Sequence, residues 1–302
     1  MPVEMRRLGR TEMKVSRLGV GLFQIGEMSV EKASMKVDTL LGAALGKGLN
    51  FLDTAACYGK SESYLGSFVS THREEFVLAT KCGHLAGALQ GQPWSADLVN
   101  RSLERSLVRL QTDHIDLLQI HSCDKATLEK GEIIDALLRA RDTGKARFIG
   151  YSGDNEAAKF AVESGVFDTL QTSLNLVDQR ALNSLLSLAK DKDMGVIIKR
   201  PVANMVWGAE GAAFGPGNYF QRQQIMRAGG KLSGDSAEPT ELALGFLFSH
   251  EQVDTAIVGT TNVDHLLSNV DILENRLPIQ PEVVDALHQR FVEMDDGWEQ
   301  QM

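Results

Sequence analysis

Three stretches, NFLDTAACYG at 50–59, FVLATKCG at 76–83 and IDLLQIHS at 115–122, decide how this chain is read. Each begins as a short apolar run and ends on, or just before, a residue that handles protons: Asp53 and Tyr58, Lys81, and His121. Runs of this length and composition read as strands buried on both faces. In a closed barrel of parallel strands, the C-terminal ends of all strands converge on one face. An acid, a phenol, an amine and an imidazole gathered there make a site for carbonyl chemistry.

Working outward, the same pattern recurs along the chain. Strands are expected at 18–21, 50–53, 76–81, 115–120, 147–151, 169–173, 195–199 and 255–258. Helical periodicity lies between them, at 35–45, 95–110, 133–141, 156–164, 182–192, 241–249 and 263–273. The clearest helix has Ser95 as its N-cap and Val99, Leu103, Leu107 and Leu110 on one stripe. Eight strands with interleaved helices predict an α/β fold, a (β/α)₈ barrel, over a single domain spanning 1–302. A doubly wound open sheet is the alternative. GVGLFQIG at 19–26 lacks the GxGxxG spacing that its cofactor site needs. Outside the repeat, 5–17 reads as a small hairpin with Gly9 near its turn, and 282–291 as a final amphipathic helix. A long loop, 202–237, carries Trp207, Phe214, Tyr219 and Phe220, with a short helix expected within 218–226. Loops of that length in compact domains are usually functional.

Composition removes several classes of function. The net charge is -9 with no basic run, so binding to a phosphate backbone gains nothing from counterion release. No apolar run approaches the ~20 residues that span a bilayer. The start, MPVEMRRLGR, has no apolar signal region, and a cytoplasmic location is expected. Cys57, Cys82 and Cys123 are odd in number and do not read as a disulfide framework. They flank Tyr58, Lys81 and His121, which places them near the rim of the expected site. They are read either as small buried hydrophobes or as including one oxidation-sensitive thiol. The close-spaced ligand pairs of a zinc site are absent, and no metal is expected.

The four proton-handling residues divide the work between them. A free tyrosine titrates near pH ~10, and a nearby ammonium favours its phenolate. Lys81 can supply that charge, Asp53 can hold Lys81, and His121 can donate to a substrate oxygen. The plain alternative is a structural Asp53–Lys81 ion pair and a core histidine. Carbonyl reduction also needs a hydride, which implies a nicotinamide cofactor.

In order, residue type and strand context, FLDTAACYG, ATKCG and DLLQIH resemble the catalytic tetrad of the aldo-keto reductases, and the resemblance covers nearly the whole chain. It implies Tyr58 as proton donor, Lys81 as its pKa partner, Asp53 as the holder of Lys81 and His121 as the substrate-orienting donor. It further implies Ser152 in GYSG and Gln171 in LQTSLN as ligands of the nicotinamide carboxamide. IVGTTNVDHLLSNV resembles the adenosine-binding segment, with Gly259, Thr260 and Thr261 near the ribose phosphate and Asn269 near the adenine. Gly259 and His265 stand where NADP-specific members commonly carry Lys or Arg. Lys199 and Arg200 in KRPVAN are expected to bring charge to the pyrophosphate. The position of the usual nicotinamide-stacking aromatic holds Leu174, and Gly153 follows Ser152 where an Asn is frequent, leaving Asp154 or Asn155 as substitutes. Phe23, Gln24, Leu174 and Trp207 are expected to line the cavity. The cofactor implied is NADP(H), with NAD(H) as the other option, and the partner a small carbonyl or alcohol. Two further readings stand beside a broad carbonyl reductase: an NAD-dependent sugar or polyol dehydrogenase, and a cofactor-binding regulatory subunit resembling the potassium-channel beta subunits.

Overall fold

The structure is a computed structural model that describes residues 3–208, 219–230 and 238–301. Its first element is an antiparallel hairpin of β1 (Met5–Arg7) and β2 (Lys14–Ser16). Eight parallel strands follow: β3 (Leu18–Gly21), β4 (Phe51–Asp53), β5 (Val77–Cys82), β6 (Ile115–His121), β7 (Ala146–Ser152), β8 (Thr169–Ser173), β9 (Gly195–Lys199) and β10 (Thr255–Gly259). They pair in chain order, and β10 closes on β3 through Val258 opposite Val20, so the sheet has no edge. This is the (β/α)₈ barrel that the strand–helix alternation predicts, with strand ends moved by a residue at most.

The helices pack outside because their apolar stripes have nowhere else to go. In Ala96–Leu110, Ser95 caps the N-terminus by accepting from the Leu98 amide at 3.2 Å, while Val99, Leu103 and Leu110 are buried. One helix, Ser61–His72, falls where no helix was expected. Its Ser, Thr and Gly content weakens the helical signal. Packing overrides propensity here: Leu65, Phe68 and Val69 are buried, and Gly66 lies so close to Ala96–Leu110 that a Cβ would sit 2.3 Å from the Arg109 carbonyl oxygen. The helix expected at 182–192 is split into a 3₁₀ turn, Arg180–Asn183, and Leu185–Asp191.

The hairpin plugs the bottom of the barrel. Leu8, Met13 and Val15 pack on the inward residues Phe51, Ala79, Leu117 and Ile197. Gly9 has φ +51°, and a Cβ there would lie 2.1 Å from the Gly195 amide nitrogen. Both the turn and the close approach therefore require glycine.

After β9 the chain forms a short 3₁₀ segment, Ala203–Gly208, and the helix Tyr219–Ala228, close to the short helix expected there. Phe214, with the rest of 209–218 and 231–237, lies outside the described residues. The final helix is Pro281–Met294. Among the described residues no helix is long and apolar enough to cross a membrane.

Candidate active site

Asp53, Lys81, His121, Ser152, Gln171 and Lys199 lie at or near the C-terminal ends of their strands, which brings them together at the barrel mouth. Lys81 lies opposite Gln119, and His121 opposite Ser152, which lies opposite Gln171. A cavity of about 690 Å³ opens there, within the usual size of a cofactor or substrate pocket. Tyr58, His121, Asp53, Ser152, Gln171, Lys199, Arg200, Phe23, Gln24 and Gly259 all line it, as do Gly21 and Val202.

Beneath the cavity, Lys81 Nζ donates to Asp53 Oδ2 at 2.5 Å and to the Thr54 carbonyl at 2.9 Å. Both charged side chains are 1% exposed, so each depends on the other to remain ionised away from water. Nζ also lies 5.0 Å from the centroid of the Tyr58 ring. Burial by itself would lower the Lys81 pKa, but the charge of Asp53, helped by Tyr58, carries it above the ordinary lysine value. The Asp53 carboxylate thus favours the charged form of Lys81. The other carboxylate oxygen of Asp53 accepts from Gln171 Nε2 at 2.8 Å, and Gln171 Oε1 accepts from Ser152 Oγ at 2.7 Å. The two residues expected at a carboxamide are thus joined to the acid machinery through one carboxylate.

Tyr58 departs from the expectation in one respect. Burial raises its pKa, and the opposing pull of Lys81 does not cancel the rise. The phenol is held protonated. Its ring packs edge-on against Phe23 at 5.0 Å and against His121 at 5.7 Å. His121 is held neutral: burial, then Lys81, His84, Lys199 and Arg200, push its pKa well below the usual histidine value. Its Nδ1 lies 3.3 Å from Cys57 Sγ, and its backbone oxygen accepts from Trp94 Nε1 at 2.8 Å.

Other expected site residues are distributed less simply. Lys199 lines the cavity, but its ammonium is 2.8 Å from the buried carboxylate of Asp154. The Arg200 guanidinium donates to the Gln301 carbonyl. Neither cation is uncommitted. Asp154 also accepts from Thr172 Oγ1 and the Ser173 amide, and Asn155 exchanges hydrogen bonds with the backbone of Gln300, so neither substitutes for the missing Asn at the cavity. Thr260, Thr261, His265 and Asn269 continue outward from Gly259, beyond the cavity lining. Thr260 Oγ1 accepts from the Asn262 amide at 3.1 Å, His265 is exposed and Asn269 is buried.

Two expected pocket residues are corrected. Leu174 is fully buried in the core between barrel and helices and does not line the cavity. Trp207 is also absent from the lining; it packs into the core with the Arg227 guanidinium 5.4 Å from its ring centroid. Tyr219 likewise pins its segment down, its hydroxyl donating to Asp178 at 2.9 Å. Of the cysteines, only Cys57 touches the tetrad. Cys82 and Cys123 belong to the outer core, and burial raises all three thiols, Cys123 to about 12. Lys81 pulls the Cys57 thiol down, but less than burial raises it.

Sequence reasoning missed Ser122, Asn204 and Met205 as lining residues. All three have positive φ, as do Arg200 and Ala203, and such clustered backbone strain is typical of ligand sites. Asn204 is of a type that tolerates left-handed backbone, but nothing in Ala203 or Met205 signals it. The tail is another feature that went unread. Gln300 Nε2 donates to the Ser173 carbonyl at 2.8 Å, and the Gln301 amide donates to Asp178 Oδ2 at 3.3 Å, so residues 300 and 301 lie across the ends of β7, β8 and β9.

The model of the aldo/keto reductase family matches residues 17–289. The chain belongs to this family, and it is an oxidoreductase. It is 29% identical over 281 residues to an L-galactose dehydrogenase of Arabidopsis thaliana, covering 89% of this chain and 87% of that protein. It is 26% identical over 289 residues to a 6-dehydroglucose reductase of Agrobacterium fabrum, covering 89% and 93%. Among solved structures, the holo form of an aldo-keto reductase from Bacillus halodurans superposes with a TM-score of 0.82 at 25% identity, covering 95% of this chain and 96% of that one. The family generally uses NAD(P)H. The cavity fits such a group. Gln24 Oε1 is buried with no hydrogen-bond partner among the described residues, and a Cβ on Gly259 would come within 2.5 Å of it. A ligand donor answers the first, and the glycine keeps room for the second.

Proposed function

We propose that this chain reduces an aldehyde or ketone to the alcohol, and runs the reverse oxidation, with Tyr58 as the acid and NAD(P)H as cofactor. When bound, the nicotinamide supplies the hydride. Ser152 and Gln171 would hold its carboxamide, and Gly259, Thr260, Thr261 and Asn269 its adenosine end. In reduction the Tyr58 proton passes to the carbonyl oxygen, and the Lys81 ammonium stabilises the phenolate left behind. His121, neutral and on the same cavity, orients the carbonyl by donating to its oxygen. The observation that carries the reading is the buried Asp53–Lys81 pair under the Tyr58 ring at the floor of one cavity.

NADP(H) remains the preferred form on family habit. A second reading, NAD-linked oxidation or reduction of a sugar or polyol, is supported by two observations. Gly259 and His265 stand where NADP-specific members commonly carry a Lys or Arg for the 2′-phosphate, and two relatives are named for sugar substrates. Fluorescence titration with NADPH and NADH, followed by turnover of small carbonyls and sugars, separates the readings. Tyr58→Phe is expected to bind cofactor as before and to lose about 10²-fold or more in turnover. Normal turnover in that variant would remove Tyr58 as the acid.

A further inference from the structure

We propose that Cys57 is a positioning residue: its thiol donates to His121 Nδ1 and fixes the imidazole in the form whose proton sits on Nε2. The proposal rests on the carbonyl chemistry above, in which His121 must donate. A neutral imidazole carries one N–H, and the contact made by one nitrogen decides which nitrogen bears it. Cys57 Sγ lies 3.3 Å from Nδ1. A protonated Nδ1 would reduce the sulfur to a weak acceptor and leave Nε2 able only to accept, which repels a carbonyl oxygen.

The surroundings select the other arrangement. Lys81, Lys199 and Arg200, with burial, disfavour an imidazolium, and burial disfavours a thiolate at Cys57. Thiol and imidazole are both neutral, so the thiol keeps a hydrogen to give, and Nδ1 at 3.3 Å is the acceptor within its reach. The remaining contacts of the ring hold its plane without choosing its proton. Tyr58 and His84 pack edge-on at interplanar angles of 78°, and Trp94 anchors the backbone oxygen. Of the contacts this ring makes among the described residues, only the one with Cys57 distinguishes the two tautomers.

The test is ¹⁵N NMR of histidine-labelled full-length protein, with and without NADPH, beside steady-state kinetics. His121 in the native protein is expected as the Nε2–H tautomer. Cys57→Ala is expected to give mixed tautomers and about fivefold lower kcat, the worth of one modest hydrogen bond, with the cofactor Kd unchanged. Cys57→Ser, whose hydroxyl donates, is expected to restore both. An unchanged tautomer in Cys57→Ala, or a thiolate–imidazolium pair in the native protein, overturns the proposal. The NMR readout needs no turnover, so a chain inactive on every carbonyl would defeat the reductase reading and leave the assignment of Cys57 to be decided by its own spectrum.

Discussion

Lys81 concentrates the residue-scale argument. Its ammonium, 1% exposed, faces one carboxylate at 2.5 Å, and removing it strands that carboxylate in the barrel. Lys81→Met is expected to lower stability by about 3–5 kcal/mol, the usual cost of breaking a buried pair, measured by urea unfolding. The same ammonium is what the Tyr58 phenolate needs, so turnover should fall as well. The pH dependence follows from the raised Tyr58 pKa. Below that pKa the phenol holds its proton, so kcat/KM for reduction stays level through neutrality and falls as pH rises through it. Oxidation needs the phenolate and rises over the same window. Profiles that move together in the two directions would contradict this assignment. The charges around Tyr58 were legible in the sequence, because Asp53 and Lys81 end neighbouring apolar runs. The balance between charge and burial was not. Three short strings show which groups converge, but not how much water they lose. The Cys57–His121 contact was hidden for a related reason, since Cys57 lies on a loop whose path the strands alone do not determine.

Among the elements, the strands were readable and the loops were not. Runs such as FVLAT and IDLLQI are buried on both faces and carry little but apolar side chains, which leaves few other conformations. The helix Ser61–His72 was concealed because its stability comes from contact with Ala96–Leu110 rather than from its own residues. Gly66→Ala tests this: with a backbone oxygen 2.3 Å from the new methyl group, the substitution is expected to cost about 1–3 kcal/mol in thermal or urea unfolding despite the better helix propensity. Leu174 and Trp207 turn into the core rather than the cavity, because neither a family position nor an aromatic on a loop says which way the chain turns after its strand. The tail contact at Asp178 carries its own prediction. Burial pushes the Asp178 carboxyl up to about 7. A folded pKa above the unfolded value means that the native state holds the proton more tightly, so this contribution is complete below about pH 4 and is lost as pH rises toward 7. Asp178→Asn is expected to flatten the decline in melting temperature between pH 5 and 7. An identical slope in that variant would assign the decline to other groups.

At the scale of the molecule, the barrel separates stability from chemistry along its axis. The lower end is closed by Leu8, Met13 and Val15, and the upper end carries every residue of the candidate site. Leu8→Ala is expected to cost about 2–5 kcal/mol in unfolding free energy and to leave the KM values unchanged, since Leu8, Met13 and Val15 do not line the cavity. The barrel class was legible because eight apolar runs recur with helices between them. The cofactor and substrate were not, because those choices rest on loops and on cations whose salt bridges only the folded chain reveals. The opposite placement of hairpin and tail has a practical consequence. An affinity tag or surface tether fused ahead of the hairpin would project from the closed end and leave the mouth clear. Bulk attached at Gln301, whose carbonyl holds Arg200 on the cavity wall, would instead crowd the open end of the barrel.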